Sequence, residues 1–116
     1  MTSTLSPWLS KCETGELHVL PVSHGEGRLV ASEKMLLEMD MNGQIAFQYA
    51  GSDGVPSMDI TVNPNGSVWA IDGICSPDGR VLGKMAHPER YGEYVAKNVL
   101  GNKYLPLFEG GIRYFK

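Results

Sequence analysis

The chain has 116 residues, 42% of them hydrophobic and 20% charged, with a formal net charge of -3. That length suits one small domain with a real core, and that balance excludes a disordered chain. It also argues against nucleic acid as a partner, because Lys and Arg are scattered without a run, and against a membrane span, because no apolar stretch approaches roughly 20 residues.

Leu5, Trp8 and Leu9 have the spacing of a single buried helical turn. The stretch from Leu17 to Val22 reads as a strand. His24-Gly25-Glu26-Gly27 interrupts it as a tight loop, and Arg28 to Ala31 resumes it. Ser32 is placed to cap a short helix whose apolar face is Met35, Leu36 and Met39, and Asn42-Gly43 is placed to stop it. Ile45 to Ala50 predicts a strand, Gly51 to Gly54 a turn and Met58 to Val62 a shorter strand, followed by the dense turn signal Asn63-Pro64-Asn65-Gly66. Val68 to Ile74 and Arg80 to Met85 predict two strands joined as a hairpin through Ser76-Pro77-Asp78-Gly79. A helix is expected from about Tyr91 to Val99. A second has apolar spacing over Leu105 to Phe115, although Gly110-Gly111 weakens it. Four to six strands against two or three short helices, without clean alternation, read locally as α+β.

His87-Pro88-Glu89 follows the last predicted strand. Pro88 stiffens the spacing between an imidazole and a carboxylate, which suits a Cys-His-Glu arrangement in which the histidine takes a thiol proton and the carboxylate holds the ring. A solvated surface loop stands level with this reading on so short a motif. His24 and Glu26 could line a substrate or interface site, but a glycine-driven turn with both side chains capping backbone groups is favoured. His18 reads as a packed histidine. A metal site built from His24, Glu26, His87 and Glu89 lacks ligand spacing. Cys12 and Cys75 form neither a disulfide framework nor a C-x-x-C pair, so reduced thiols in a cytoplasmic protein are expected. Neither has a helix terminus or an elbow to activate it. The Asn65-Gly66-Ser67 sequon is a chance match without a secretion signal. Trp8, Trp69, Phe47 and Phe115 are most simply core or interface residues.

The segments SPWLS (6–10), PVSHGEGR (21–28), GQIAFQY (43–49), NPNGS (63–67), SPDGRVLGKMAHPERYG (76–92) and LFEGGIRYF (107–115) occur in that order. Together they resemble the C-terminal stretch of the class I glutamine amidotransferase domain of the phosphoribosylformylglycinamidine synthases. The resemblance covers nearly the whole chain. It implies an α/β, flavodoxin-like domain of which residues 1–116 are a strand-rich C-terminal part. It also implies hydrolysis of glutamine through a cysteine thioester, with His87 as general base and Glu89 as its orienter. The cysteine would sit on an elbow in a segment preceding SPWLS, which these 116 residues do not contain. ATP and Mg²⁺ are expected only in the synthetase part, so no cofactor is assigned to this chain.

The expected partners are glutamine, the N-terminal part of the amidotransferase domain and the synthetase domains, with no nucleic acid and no membrane. Alone, the chain is expected to be inactive as a glutaminase and to self-associate through an uncovered strand edge and apolar faces. The rival reading is a non-catalytic binding or dimerisation module derived from such a domain. A third, an independent hydrolase pairing Cys75 with His87, is disfavoured because Cys75 lacks an activating helix terminus.

Overall fold

A computed structural model describes residues 1–3, 5–20, 28–59, 62, 63, 66–88 and 101–115. The polypeptide enters through a 3-10 turn at Pro7–Leu9, which buries Leu9 completely. Helix α1 spans Glu33–Met41, and the Ser32 hydroxyl accepts the Met35 amide at 3.3 Å as its N-cap. At its other end Gly43, at φ 71°, sends its amide to Asp40, and the Gln44 amide reaches back to Met39. This pair of bonds needs a left-handed residue at Gly43 and turns the chain directly into a strand.

Strand β1 (Ile45–Gln48) pairs with β2 (Ile71–Cys75), and β2 pairs with β3 (Leu82–Lys84), giving a three-stranded antiparallel sheet in the order β1-β2-β3. The mixture of helix and strand is compatible with the α/β class. The strands described are all antiparallel, which matches the local α+β reading. The β1–β2 register is irregular: Ile45 faces Ile74 and Phe47 faces Gly73, so two residues of β1 oppose one of β2. Such a bulge breaks the strict alternation of side chains. Accordingly Ile45 packs with Leu36 and Ile71 in one buried cluster, whereas Ala46 and Phe47 pack with Leu9, Cys12, Leu105 and Leu107 in another. The first cluster lies under α1 and the second under α2 (Leu107–Phe115).

The glycines within α2 do not break it. A methyl group at Gly110 would overlap the Trp8 carbonyl oxygen, and one at Gly111 would overlap the Trp8 indole. Both positions are bare so that α2 can lie against the entry turn. The Trp8 indole N–H in turn donates to the Arg80 carbonyl at 2.8 Å, tying the same turn to the β2–β3 hairpin.

Four predicted strands differ from what is observed. Leu17 to Leu20 carries no ladder; Val19 donates one amide bond to Asn102 at 2.6 Å, and Leu17 and Val19 stay exposed. Leu29 exchanges bonds with Ser67 and Val68 instead of joining the sheet. Met58 and Asp59 are in no strand. The strand expected from Val68 begins at Ile71, because Val68–Ala70 forms a 3-10 turn in which Trp69 and Ala70 have φ of 53° and 56°. That left-handed kink is over-determined. Asn63 and Ser67 bond reciprocally beneath it, Gln48 donates to the Trp69 carbonyl, and Tyr49 donates its amide to Ala70. The hairpin through Ser76-Pro77-Asp78-Gly79 forms as predicted, with β3 confined to Leu82–Lys84. The helix expected near Tyr91 to Val99 and the Phe115 side chain lie outside the described residues.

Candidate functional site

β2 is an apolar strand that carries one charged residue, Asp72, and Asp72 is only 5% exposed. Burying a carboxylate is costly unless it is paired and hydrogen-bonded. Its partners come from β3 and the residues that follow. The Lys84 ammonium, on a side chain only 7% exposed, donates to Asp72 Oδ2. The Ala86 amide donates to Asp72 Oδ1 at 3.0 Å, and the Met85 amide donates to the Asp72 main-chain oxygen at 2.9 Å. The Tyr49 phenol is close enough to the carboxylate to be raised by its charge. Lys84 lies 3.9 Å above the centre of the Phe47 ring, a cation–π contact inside the same cluster.

These contacts set the protonation of the cluster. Burial pushes the Lys84 ammonium below the usual lysine range, and the Asp72 carboxylate opposes that shift. Burial, reinforced by the adjacent carboxylate, raises the Tyr49 phenol well above its ordinary value, so it stays neutral.

His87 leaves the sheet immediately after the clamped pair Met85-Ala86 and is half-buried, as is Pro88. Glu89 lies outside the described residues, as do His24 and Glu26. The flanks of the His24 loop are described, however, and they converge on the same strand end. Leu20, which precedes the loop, lines a cleft of about 590 Å³ together with Tyr49, Asp72, Lys84 and Ala86. Arg28, which follows the loop, lines a smaller hollow of about 180 Å³ with Asp72, Lys84 and Met85. The ends of the segment carrying His24 and Glu26 therefore border the strand that delivers His87.

His18 is packed, with a side chain 4% exposed, and it lines the larger cleft. Its Nε2 lies 3.3 Å from Glu16 Oε2, yet neither ring nitrogen has hydrogen-bond geometry to a partner. Burial lowers its basicity, against the opposing pull of Glu16.

The cysteines are placed as ordinary core residues. Cys12 is buried, and burial pushes its thiol up to about 11. Cys75 is 5% exposed and is also raised, first by burial and then by Asp78. Cys75 faces Leu82 at the turn end of the hairpin, whereas His87 emerges five residues beyond Leu82. Met85 and Ala86, just before His87, bond Asp72 toward the other end of β2 from Cys75. Among the described residues no group of three or more His, Cys, Asp or Glu side chains could hold a metal ion. Also among them, no helix is long and apolar enough to cross a membrane.

Sequence reasoning missed Asp72, Lys84 and Tyr49. A signal was present: single charges at Asp72 and Lys84 interrupt two otherwise apolar stretches, and a charge in a buried strand demands a partner.

The family profile described as a CobB/CobQ-like glutamine amidotransferase domain matches residues 1–115. The phosphoribosylformylglycinamidine synthase subunit PurQ of Thermomicrobium roseum is 46% identical over 87 residues, which cover 75% of this chain and 36% of that protein. The subunit of the same name from Trichormus variabilis is 44% identical over 108 residues, covering 93% of this chain and 42% of the relative. That from Alkaliphilus metalliredigens is 38% identical over 115 residues, covering 96% and 46% respectively. The chain thus spans less than half the length of the curated relatives it matches. The match along nearly every residue, read with the His87 segment delivered at the end of a clamped strand, shows that the chain belongs to the CobB/CobQ-like glutamine amidotransferase domain family.

Proposed function

We propose that residues 1–116 supply the general base and its orienter to the glutaminase reaction of a phosphoribosylformylglycinamidine synthase, in purine biosynthesis. The nucleophilic cysteine comes from a segment outside these residues. His87 takes the thiol proton, the thiolate attacks the glutamine carboxamide carbon, and His87 returns the proton to the departing ammonia. Water activated by the same imidazole then hydrolyses the thioester to glutamate. Glu89 holds the ring and stabilises its protonated form. ATP and Mg²⁺ serve the synthetase part, which consumes the ammonia, and the setting is cytoplasmic. His24 and Glu26 belong to a loop bordering the same site, toward substrate or the domain interface.

The observation that supports this reading best is the placement of His87, half-buried directly after two amides that Asp72 holds. Cys12 and Cys75 offer no rival nucleophile. Both are buried and both have raised thiols, and Cys75 stands at the far end of the hairpin. The test is complementation. Residues 1–116 alone should release no glutamate above a His87→Ala control. Mixed with the nucleophile-bearing part of a related domain, they should release glutamate, and His87→Ala should abolish it. Release that is indifferent to His87 would overturn the assignment.

The second reading, a non-catalytic binding or dimerisation module, draws on the exposed apolar residues Phe108 and Ile112 of α2. It is favoured if complementation yields a stable complex and no turnover.

A further inference from the structure

We propose that Asp72 is a positioning residue for His87, fixing through its main-chain oxygen and its carboxylate the two consecutive amides that precede the imidazole. The ladder between β2 and β3 ends at Gly73 and Lys84. Beyond it an ordinary strand pair would fray, and the next residues would choose their own path. Here they do not. Met85 donates to the Asp72 carbonyl at 2.9 Å and Ala86 donates to Asp72 Oδ1 at 3.0 Å. One residue therefore extends the ladder by a main-chain bond and then by a side-chain bond, and His87 is the first residue past the clamp.

The second carboxylate oxygen is held by Lys84. The carboxylate is thus already anchored through one oxygen when its other oxygen receives the Ala86 amide. A charged acceptor also makes the stronger bond to a backbone N–H. Asp72 and Ala86 are 5% and 7% exposed, so water does not compete for that bond. An imidazole that must meet both a thiol and a carboxylate tolerates little misplacement, which is the use of such a clamp. Asp72 acts on His87 through the backbone of Met85 and Ala86.

The inference rests on the reading of His87 as the base, but its test needs no turnover. In isotopically labelled residues 1–116, the Ala86 amide should exchange slowly. Asp72→Ala should speed that exchange at least about 10-fold relative to the Cys75 amide, which bonds Gln44 independently. It should also move the His87 Cε1–H resonance. Asp72→Asn, made together with Lys84→Met so that no buried ammonium is stranded, keeps an oxygen for the Ala86 amide, so exchange should stay within about threefold of wild type and the resonance should return. A purely structural role would lower global stability without moving His87 and without rescue by Asn. The proposal is overturned by an Ala86 amide that exchanges freely in the wild type, by an unmoved His87 resonance in Asp72→Ala, or by the double variant behaving like Asp72→Ala. Should Asp72→Ala fail to fold, wild-type Ala86 exchange and the double variant decide the matter. Loss of His87-dependent glutaminase activity on complementation would count against the base assignment and leave the clamp measurement intact.

Discussion

The Lys84 ammonium donates to Asp72 Oδ2 with both side chains less than 10% exposed, so the pair is a buried ion pair on adjacent strands. Its net worth over an apolar pair is small, because two desolvation costs offset the attraction, but breaking it on one side strands a charge. Lys84→Met should therefore destabilise the domain by about 3 kcal/mol, read as a lower urea midpoint. Combining Lys84→Met with Asp72→Asn should recover much of the loss, since the stranded charge is gone while the Ala86 amide keeps its acceptor. A single Lys84→Met variant as stable as wild type would contradict the pairing.

A second prediction concerns Gly111. In an exposed helix, Gly→Ala gains about 1 kcal/mol of propensity. At Gly111 the new methyl would overlap the Trp8 indole, and forced overpacking costs about 1–3 kcal/mol. The clash wins, so Gly111→Ala should lower the melting temperature. In a Trp8→Ala background the same substitution should raise it, because only propensity then remains. The same sign in both backgrounds would show that Trp8 is not the obstacle.

These two contacts mark where sequence reading reached and where it stopped. Helix α1 was legible because its signals are local: Ser32 caps within three residues and Gly43 ends the helix next to its last turn. The hairpin was legible from Ser76-Pro77-Asp78-Gly79 for the same reason. Gly110-Gly111 weakened the reading of α2, since their cost in a helix is local while their use lies against Trp8, about a hundred residues away in sequence. The start of β2 at Ile71 depends on reciprocal bonds between Asn63 and Ser67 and on Gln48 and Tyr49 capturing the Trp69 and Ala70 carbonyls; no residue near Val68 announces them. His87 was singled out by motif and resemblance. The clamp behind it was not, because Asp72 meets Lys84 and Ala86 across the hairpin, 12 and 14 residues on.

His18 gives a prediction in pH. Its ring is buried and faces Glu16, which favours the proton, and the Met1 ammonium and Lys84, which oppose it. Burial dominates and lowers its pKa below the ordinary 6.5. The unfolded chain then binds a proton that the folded chain refuses, so stability rises with pH across the window just below 6.5 and levels off above it. Acidification from pH 7 to about pH 5 should therefore destabilise the domain, and His18→Gln should flatten that part of the curve. An unchanged slope in the variant would remove His18 from the account.

The last prediction is self-association. Phe108 and Ile112 lie one turn apart on α2 and are 54% and 65% exposed, while Met35 and Met41 of α1 are 54% and 86% exposed. Single exposed apolar residues are ordinary, but an i, i+4 pair on one helix makes a continuous patch. The sheet adds to this. The outer edge of β1 is partly covered, because Thr2 and Ser3 donate to the Ala46 carbonyl, whereas among the described residues β3 is the other edge of the sheet, with Val81, 68% exposed, immediately before it. An edge that presents unpaired backbone groups beside an apolar residue templates pairing with a second copy. Residues 1–116 should therefore show a mass in light scattering that rises with concentration. If the helix patch drives association, Phe108→Ser with Ile112→Ser should suppress it. If the edge drives it, Val81→Lys should suppress it instead, since a charge beside an edge strand hinders pairing without touching α2. A clean monomer at high concentration would show that neither surface is sticky enough to pair.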